Sequence, residues 1–134
     1  MKGIADTGFL VAFLSLNDRY HDWAVGVAED VTEPLLTCEA VLSESAFHLG
    51  SCAAVFNLLA RALITLDFGC AEHLAQLESL AKRYVDRKPD LADLCLIRMS
   101  ELHPKYSVVT IDGDFRVYRR NKREVIPLIC PPDV

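Results

Sequence analysis

Short apolar runs alternate along this chain with longer stretches in which apolar residues recur every three or four positions. Gly3-Ile4-Ala5-Asp6 reads as a first strand, and Thr7 to Leu16 as the helix that follows it. Asp18 opens an amphipathic helix to about Glu29, and Leu35-Leu36-Thr37 is a second strand. A helix from Cys38 to about Leu49 is stopped by Gly50, and another covers about Cys52 to Ala62. Leu63 to Leu66 is a third strand, after which Cys70, His73, Leu74, Leu77, Ala81 and Tyr84 share one helical face. Beyond Lys88-Pro89 a helix runs from about Asp90 to Leu102, and Ser107 to Ile111 is a fourth strand. A short helix around Phe115 to Tyr118 and a fifth strand at Val125 to Leu128 complete the pattern. Strands separated by helices, and apolar throughout, imply a parallel sheet covered on both faces. The expected fold is therefore α/β in three layers, a five-stranded parallel sheet flanked by helices. Functional residues belong just beyond the carboxyl ends of its strands.

The 134 residues suit a single domain, 1–134, and 51% of them are apolar, enough for a core without staples. No repeat or low-complexity stretch interrupts the pattern. With 19 acidic and 14 basic residues the net charge is -5, which argues against a nucleic-acid binder that works through its whole surface. Five cysteines (Cys38, Cys52, Cys70, Cys95 and Cys130) are scattered without a C-x-x-C pair. Their apolar neighbours suggest reduced thiols in a reducing cytoplasm rather than a disulfide scaffold, and Cys70 with His73 is half a zinc site at best. The apolar run Phe9 to Leu14 is too short for a membrane span, is interrupted upstream by Asp6 and lacks a cleavage signature. The expectation is a mature protein without a membrane partner.

Carboxylates in apolar surroundings carry the chemical information. Asp6 ends the first strand; Glu44 shares a helix face with Ala40, Val41, Phe47 and His48; Asp93 shares one with Leu96, Ile97 and Ser100. Asp112 follows Val108-Val109-Thr110-Ile111, with Asp114 two residues later. Burying an unpaired carboxylate costs several kcal/mol or shifts its pKa. Taken singly, Asp6 and Asp112 could cap helices, and Glu44 and Asp93 could pair with arginines. Taken together, a shared divalent cation accounts for all of them. Oxygen ligands without spaced histidine or thiolate point to Mg²⁺ or Mn²⁺, suited to phosphate-ester chemistry. Crowded carboxylates also predict at least one raised pKa in the metal-free protein.

Nine of the 14 basic residues fall in two segments beside these acids: Lys82, Arg83, Arg87 and Lys88, then Arg116, Arg119, Arg120, Lys122 and Arg123. A solvated charged face would explain either run alone. Flanking the acids, they suggest a phosphate-backbone track, with Arg116, Arg119, Arg120 and Arg123 in one stripe if the short helix continues.

Asp6-Thr7, Thr37 with Glu44 seven residues on, Asp90-Leu91-Ala92-Asp93 and Thr110-Ile111-Asp112-Gly113-Asp114-Phe115 together resemble the PIN-domain nucleases. The likeness covers essentially the whole chain and is strongest to the small VapC-type toxins of toxin–antitoxin pairs. The resemblance implies a Mg²⁺- or Mn²⁺-dependent endoribonuclease with a PIN-like fold, a homodimer held inactive by a cognate antitoxin, leaving 5′-phosphate and 3′-hydroxyl products. By the same resemblance Asp6, Glu44, Asp93 and Asp112 are the catalytic and metal-binding carboxylates, and Asp114 is a further acid. Thr110 is the site hydroxyl, with Thr7 a second hydroxyl or a cap. Arg83, Arg87, Lys88, Arg116, Arg119 and Arg120 are the candidates for the RNA backbone. Glu39, in a helix first turn where a carboxylate suits the dipole, is a rival to Glu44.

In the mechanism this implies, bound metal orients and deprotonates a water, and no protein nucleophile is needed. The four histidines are not expected to be catalysts: His48 and His73 read as core residues, and none has a spaced zinc partner. Other small α/β classes fit less well. A receiver domain needs a second acid where Thr7 stands, a dehalogenase-type phosphatase needs one at Gly8, and Arg116 and Arg123 occupy oxygen-ligand positions of an EF-hand loop. No P-loop or G-x-G-x-x-G is present. The non-enzymatic alternative is a catalytically weak or inactive PIN-like subunit that acts mainly by protein–protein binding.

Overall fold

The computed structural model of the protein describes residues 1–134. Strand β1 (Gly3–Ala5) leads into helix α1 (Thr7–Leu14), then α2 (His21–Glu29), β2 (Leu35–Thr37), α3 (Glu39–Leu49), α4 (Cys52–Ala60) and β3 (Ile64–Leu66). A 3-10 turn at Cys70–His73 precedes α5 (Leu74–Arg83), and α6 (Leu91–Leu102) and β4 (Ser107–Val109) follow. The chain closes with a 3-10 turn at Gly113–Arg116 and strands β5 (Arg119–Arg120), β6 (Glu124–Val125) and β7 (Leu128–Ile129).

Five strands form one parallel sheet in the order β3-β2-β1-β4-β7. The steps from β1 to β2 to β3 run in one direction. Right-handed crossovers therefore place α1 to α4 on one face, and the return to β4 places α5 and α6 on the other. Within each layer α1 meets α2 and α3, α3 meets α4, and α5 meets α6, which also touches β1 and β4, while α3 and the start of α6 meet across the carboxyl end of the sheet. The architecture is the three-layer α/β fold that the apolar strand runs imply.

Twenty-eight buried apolar residues form one continuous cluster. Helix α6 lies deepest, with Ala92, Leu94, Cys95, Leu96, Ile97, Met99 and Ser100 all buried. A helix apolar on nearly every side is one covered on nearly every side. Its two flanks touch the sheet and α5. Gly8 sets a further spacing, because a Cβ there would collide with the Ile111 side chain. The first turn of α1 can therefore approach the segment after β4 closely only without a side chain.

Several local features differ from the periodicity reading. Helix α2 begins at His21 rather than Asp18, because the Asp18 carboxylate accepts from the Tyr20 amide at 2.8 Å and holds a turn instead. Cys70 to His73 is a separate 3-10 turn, so Leu74 begins α5 exposed. The short helix ends at Arg116 rather than reaching Tyr118. Val125 pairs with Arg119 in an antiparallel two-stranded ribbon, and the fifth strand of the main sheet is Leu128–Ile129. An arginine stripe cannot form there, since strand geometry sends Arg119 and Arg120 to opposite sides.

Candidate active site: an acidic cavity at the switch point

The strand order reverses at β1, whose neighbours are β2 and β4. The crevice beyond the carboxyl ends of β1 and β4 is thus where this architecture opens a site. Ala5 is in register with Val109, so Asp6 and Thr110 leave the sheet side by side. Asp6 caps α1, accepting from the Thr7 amide at 2.7 Å, and Thr110 Oγ1 donates to its other oxygen at 2.6 Å. The Thr110 hydroxyl in turn accepts from the Asp112 amide at 2.9 Å, which sets the turn carrying Asp112.

A cavity of about 440 Å³ opens here, lined by Asp6, Thr7, Gly8, Val11, Asp18, Glu44, His48, Asp90, Asp93, Ile111 and Asp112. Six of these 11 are acidic, and no lysine or arginine is among them. Helix α3 brings Glu44, whose carboxylate accepts from Thr7 Oγ1 at 3.3 Å. The first turn of α6 brings Asp90 and Asp93, with the Asp93 amide donating to Asp90 Oδ1 at 2.8 Å. Tyr118, fully buried, donates its hydroxyl to Asp93 Oδ2 at 3.3 Å.

Uncompensated charge and burial perturb these acids. Burial pushes the Asp6 carboxyl up to about 6 against the Thr110 and Thr7 hydrogen bonds that lower it, and Asp112 and Asp90 add repulsion. Burial, followed by repulsion from Asp90, Asp6 and Asp112, pushes Asp93 up to about 8. Glu44 is raised as well, by burial and then by repulsion from Asp90. Raised acids in a cleft are the pattern of a functional site, and the donor set consists of hard oxygens. It fits Mg²⁺ or Mn²⁺ by chemistry, although no three of the groups already stand in ligating geometry.

The four carboxylates Asp6, Glu44, Asp93 and Asp112 therefore share one cavity with Thr7, and Thr110 reaches it through Asp6. Asp114 does not line it: its amide donates to Asp112 Oδ1 and its carboxylate pairs with Arg87 at 3.1 Å. Asp90, part of the Asp90-Leu91-Ala92-Asp93 motif but not among the expected ligands, and Asp18, expected only to open a helix, do line it. The signal for Asp90 was its place three residues before Asp93, one helical turn away. His48 is exposed on the cavity wall rather than in the core, and His73 stacks on Phe68 while facing Arg98 Nε at 3.3 Å. Tyr118 gave no signal, because its contact with Asp93 depends on the fold of the last 20 residues.

The basic candidates divide. Arg87 and Lys88 are exposed immediately before α6, and Arg83 is exposed at the end of α5. Arg120 is buried and unavailable to a phosphate backbone. Its guanidinium donates to Ser100 O, Ser100 Oγ and Pro104 O and pairs with Glu124 at 2.7 Å. Arg119 donates to the carbonyls of Arg116, Val117 and Tyr118, and Arg116 to Val134 O and Cys130 Sγ. Arg116 thus braces the C-terminal segment, whereas Arg119 folds back on its own turn.

No helix is long and apolar enough to cross a membrane. Searched against models of known protein families and against curated proteins, the chain gives no match.

Proposed function

We propose that the protein is a Mg²⁺- or Mn²⁺-dependent endoribonuclease of PIN-domain type. Its resemblance to VapC-type toxins extends the proposal to a toxin role, a homodimer, a cognate antitoxin and a cytoplasmic location. The observation that carries the reading is the clustering of Asp6, Glu44, Asp93 and Asp112, with Asp90, around one cavity that no lysine or arginine lines. Acids from β1, α3, α6 and the turn after β4 have no common structural need to meet. A cation is the simplest partner that satisfies all of them.

Asp6, Glu44, Asp93 and Asp112 would hold the metal, with Asp90 at its edge. When bound, the metal activates a water and stabilises charge on the scissile phosphate and the leaving oxygen. The chain's own work is positional. The Thr110 hydroxyl and the Thr7 amide fix both oxygens of Asp6. Tyr118 holds Asp93 Oδ2. Arg87 and Lys88, exposed just before Asp90, would meet RNA phosphates beside the acids, which would otherwise repel them.

The test is cleavage of a mixed labelled RNA pool by the purified protein with Mg²⁺ or Mn²⁺, beside an EDTA control and a folded Asp6→Asn, Asp93→Asn double variant. Cleavage lost in both controls supports the nuclease. An intact pool together with no metal binding by calorimetry rejects it in favour of a partner-binding subunit. Phe47 and Phe56, both well exposed on α3 and α4, favour that second reading.

A further inference from the structure

Outside the acidic cavity, two of the five cysteines meet, Cys70 and Cys95, although they stand 25 positions apart, and Cys38 borders the same cavity as Cys70. Cys70 opens the 3-10 turn after β3, Cys95 lies in the middle of α6, and Cys38 ends the segment that leads from β2 into α3. Cys70 Sγ is 3.6 Å from Cys95 Sγ. Cys95 and Cys38 are buried, whereas Cys70 is exposed. A second cavity, of about 540 Å³, is bordered by Cys38, Phe68, Gly69, Cys70 and Leu91 and shares Glu44 with the acidic one. An outer thiol at the mouth of a cavity and an inner thiol in contact with it form the arrangement that thiol–disulfide exchange requires.

We propose that Cys70 and Cys95 are a modification site, a dithiol that low-molecular-weight disulfides convert into an intrachain disulfide. In the first step Cys70, deprotonated, attacks one sulfur of the small disulfide. A mixed disulfide forms on Cys70, and the first small thiolate leaves and takes up the proton that Cys70 gave up. In the second, Cys95 loses its proton and attacks Cys70 Sγ, breaking the mixed disulfide. The second small thiol leaves with that proton. The two cysteines are oxidised, the small disulfide is reduced to two thiols, and no other oxidant is needed.

Closure needs the sulfurs to move from 3.6 Å to bonding distance, and the exposed Cys70 is the side free to turn. The bond would tie the connection between β3 and α5 to α6, whose first turn carries Asp90 and Asp93. Cys52 and Cys130 provide the internal comparison. Cys52 is exposed without a thiol neighbour, and Cys130 contacts the Arg116 guanidinium. Exposure alone would make Cys52 react as Cys70 does, but only to the stage of a mixed disulfide.

The experiment incubates the full chain with glutathione disulfide, blocks remaining thiols under denaturing conditions and maps the peptides by mass spectrometry. The expected product is a Cys70–Cys95 cross-linked peptide that reverts with dithiothreitol, with glutathione retained at Cys52 but not at Cys70. Its formation should raise the melting temperature, because a loop spanning 25 positions is closed in the unfolded chain. Cys70→Ser, an exposed change that spares the core, should abolish the cross-link and leave Cys95 unmodified. Stable glutathione on Cys70 beside a free Cys95, a Cys38–Cys95 bond, or a Cys70 that reacts no further than Cys52 would each overturn the assignment.

Discussion

Thr110 donates its hydroxyl to Asp6 Oδ2 at 2.6 Å, joining two residues 104 positions apart that leave neighbouring strands in register. This bond, together with the Thr7 amide on the other oxygen, orients a buried carboxylate that has no basic partner. Thr110 is itself fully buried, so its hydroxyl serves the site and not solvent.

Thr110→Val keeps the shape of the side chain and deletes the donor to Asp6 and the acceptor of the Asp112 amide. Leaving buried polar groups unpaired costs about 1–3 kcal/mol. Urea unfolding should show a loss of that size and an unchanged slope. A midpoint equal to that of the wild type would mean that solvent replaces the hydroxyl.

The raised acids give the metal-free protein a distinctive pH dependence. A carboxyl that holds its proton more tightly when folded stabilises the fold fully below the unfolded value of about 4. That contribution is lost as pH rises through about 6 for Asp6 and about 8 for Asp93. The melting temperature in EDTA should therefore fall between pH 5 and 9, and Asp93→Asn should flatten the upper part of the fall. Mn²⁺ should restore the wild type most at the alkaline end, since metal binding displaces protons. A melting temperature that stays level or climbs toward pH 9 would contradict the crowding of these acids.

Tyr118 offers a finer test of the same electrostatics. Its hydroxyl favours the ionised form of Asp93, while its ring packs against Phe115 and Tyr84. Tyr118→Phe retains the packing and removes the donor, so the Asp93 titration followed by NMR should move further up. An unchanged value or a shift downward would show that the hydroxyl does not favour the ionised form of Asp93.

Arg120 and Arg87 should separate stability from RNA contact. Arg120→Met strands the Ser100 and Pro104 carbonyls that its guanidinium satisfies and should cost about 1–3 kcal/mol in denaturant unfolding. Arg87→Ala removes only an exposed pair with Asp114, where about 0–1 kcal/mol is expected. If RNA passes beside the acids, Arg87→Ala should instead weaken RNA binding and reduce its salt dependence. Equal losses of stability in the two variants would remove the distinction.

The layers, the parallel sheet and the strand ends where the acids gather are legible in the amino-acid pattern. Apolar runs such as Ile4-Ala5 and Val108-Val109 are buried in the central strands, and that requirement is local enough to be read from composition and spacing. Acids that directly follow such runs stand at strand ends in any fold of this class, which is why Asp6 and Asp112 were legible. Glu44 and Asp93 were legible because a carboxylate on an apolar helix face conflicts with burial. Which polar groups meet is set only when the chain packs. Asp114 turns to Arg87 while Asp90 and Asp18 enter the cavity, and Arg120 is drawn under Ser100 instead of lying in a surface stripe. Cys70 reaches Cys95, and Tyr118 reaches Asp93, each across 25 positions. A side chain's pattern shows whether it prefers burial, but its partner is set by the sheet order and the crossovers. Those depend on how the whole chain packs and not on any segment of it.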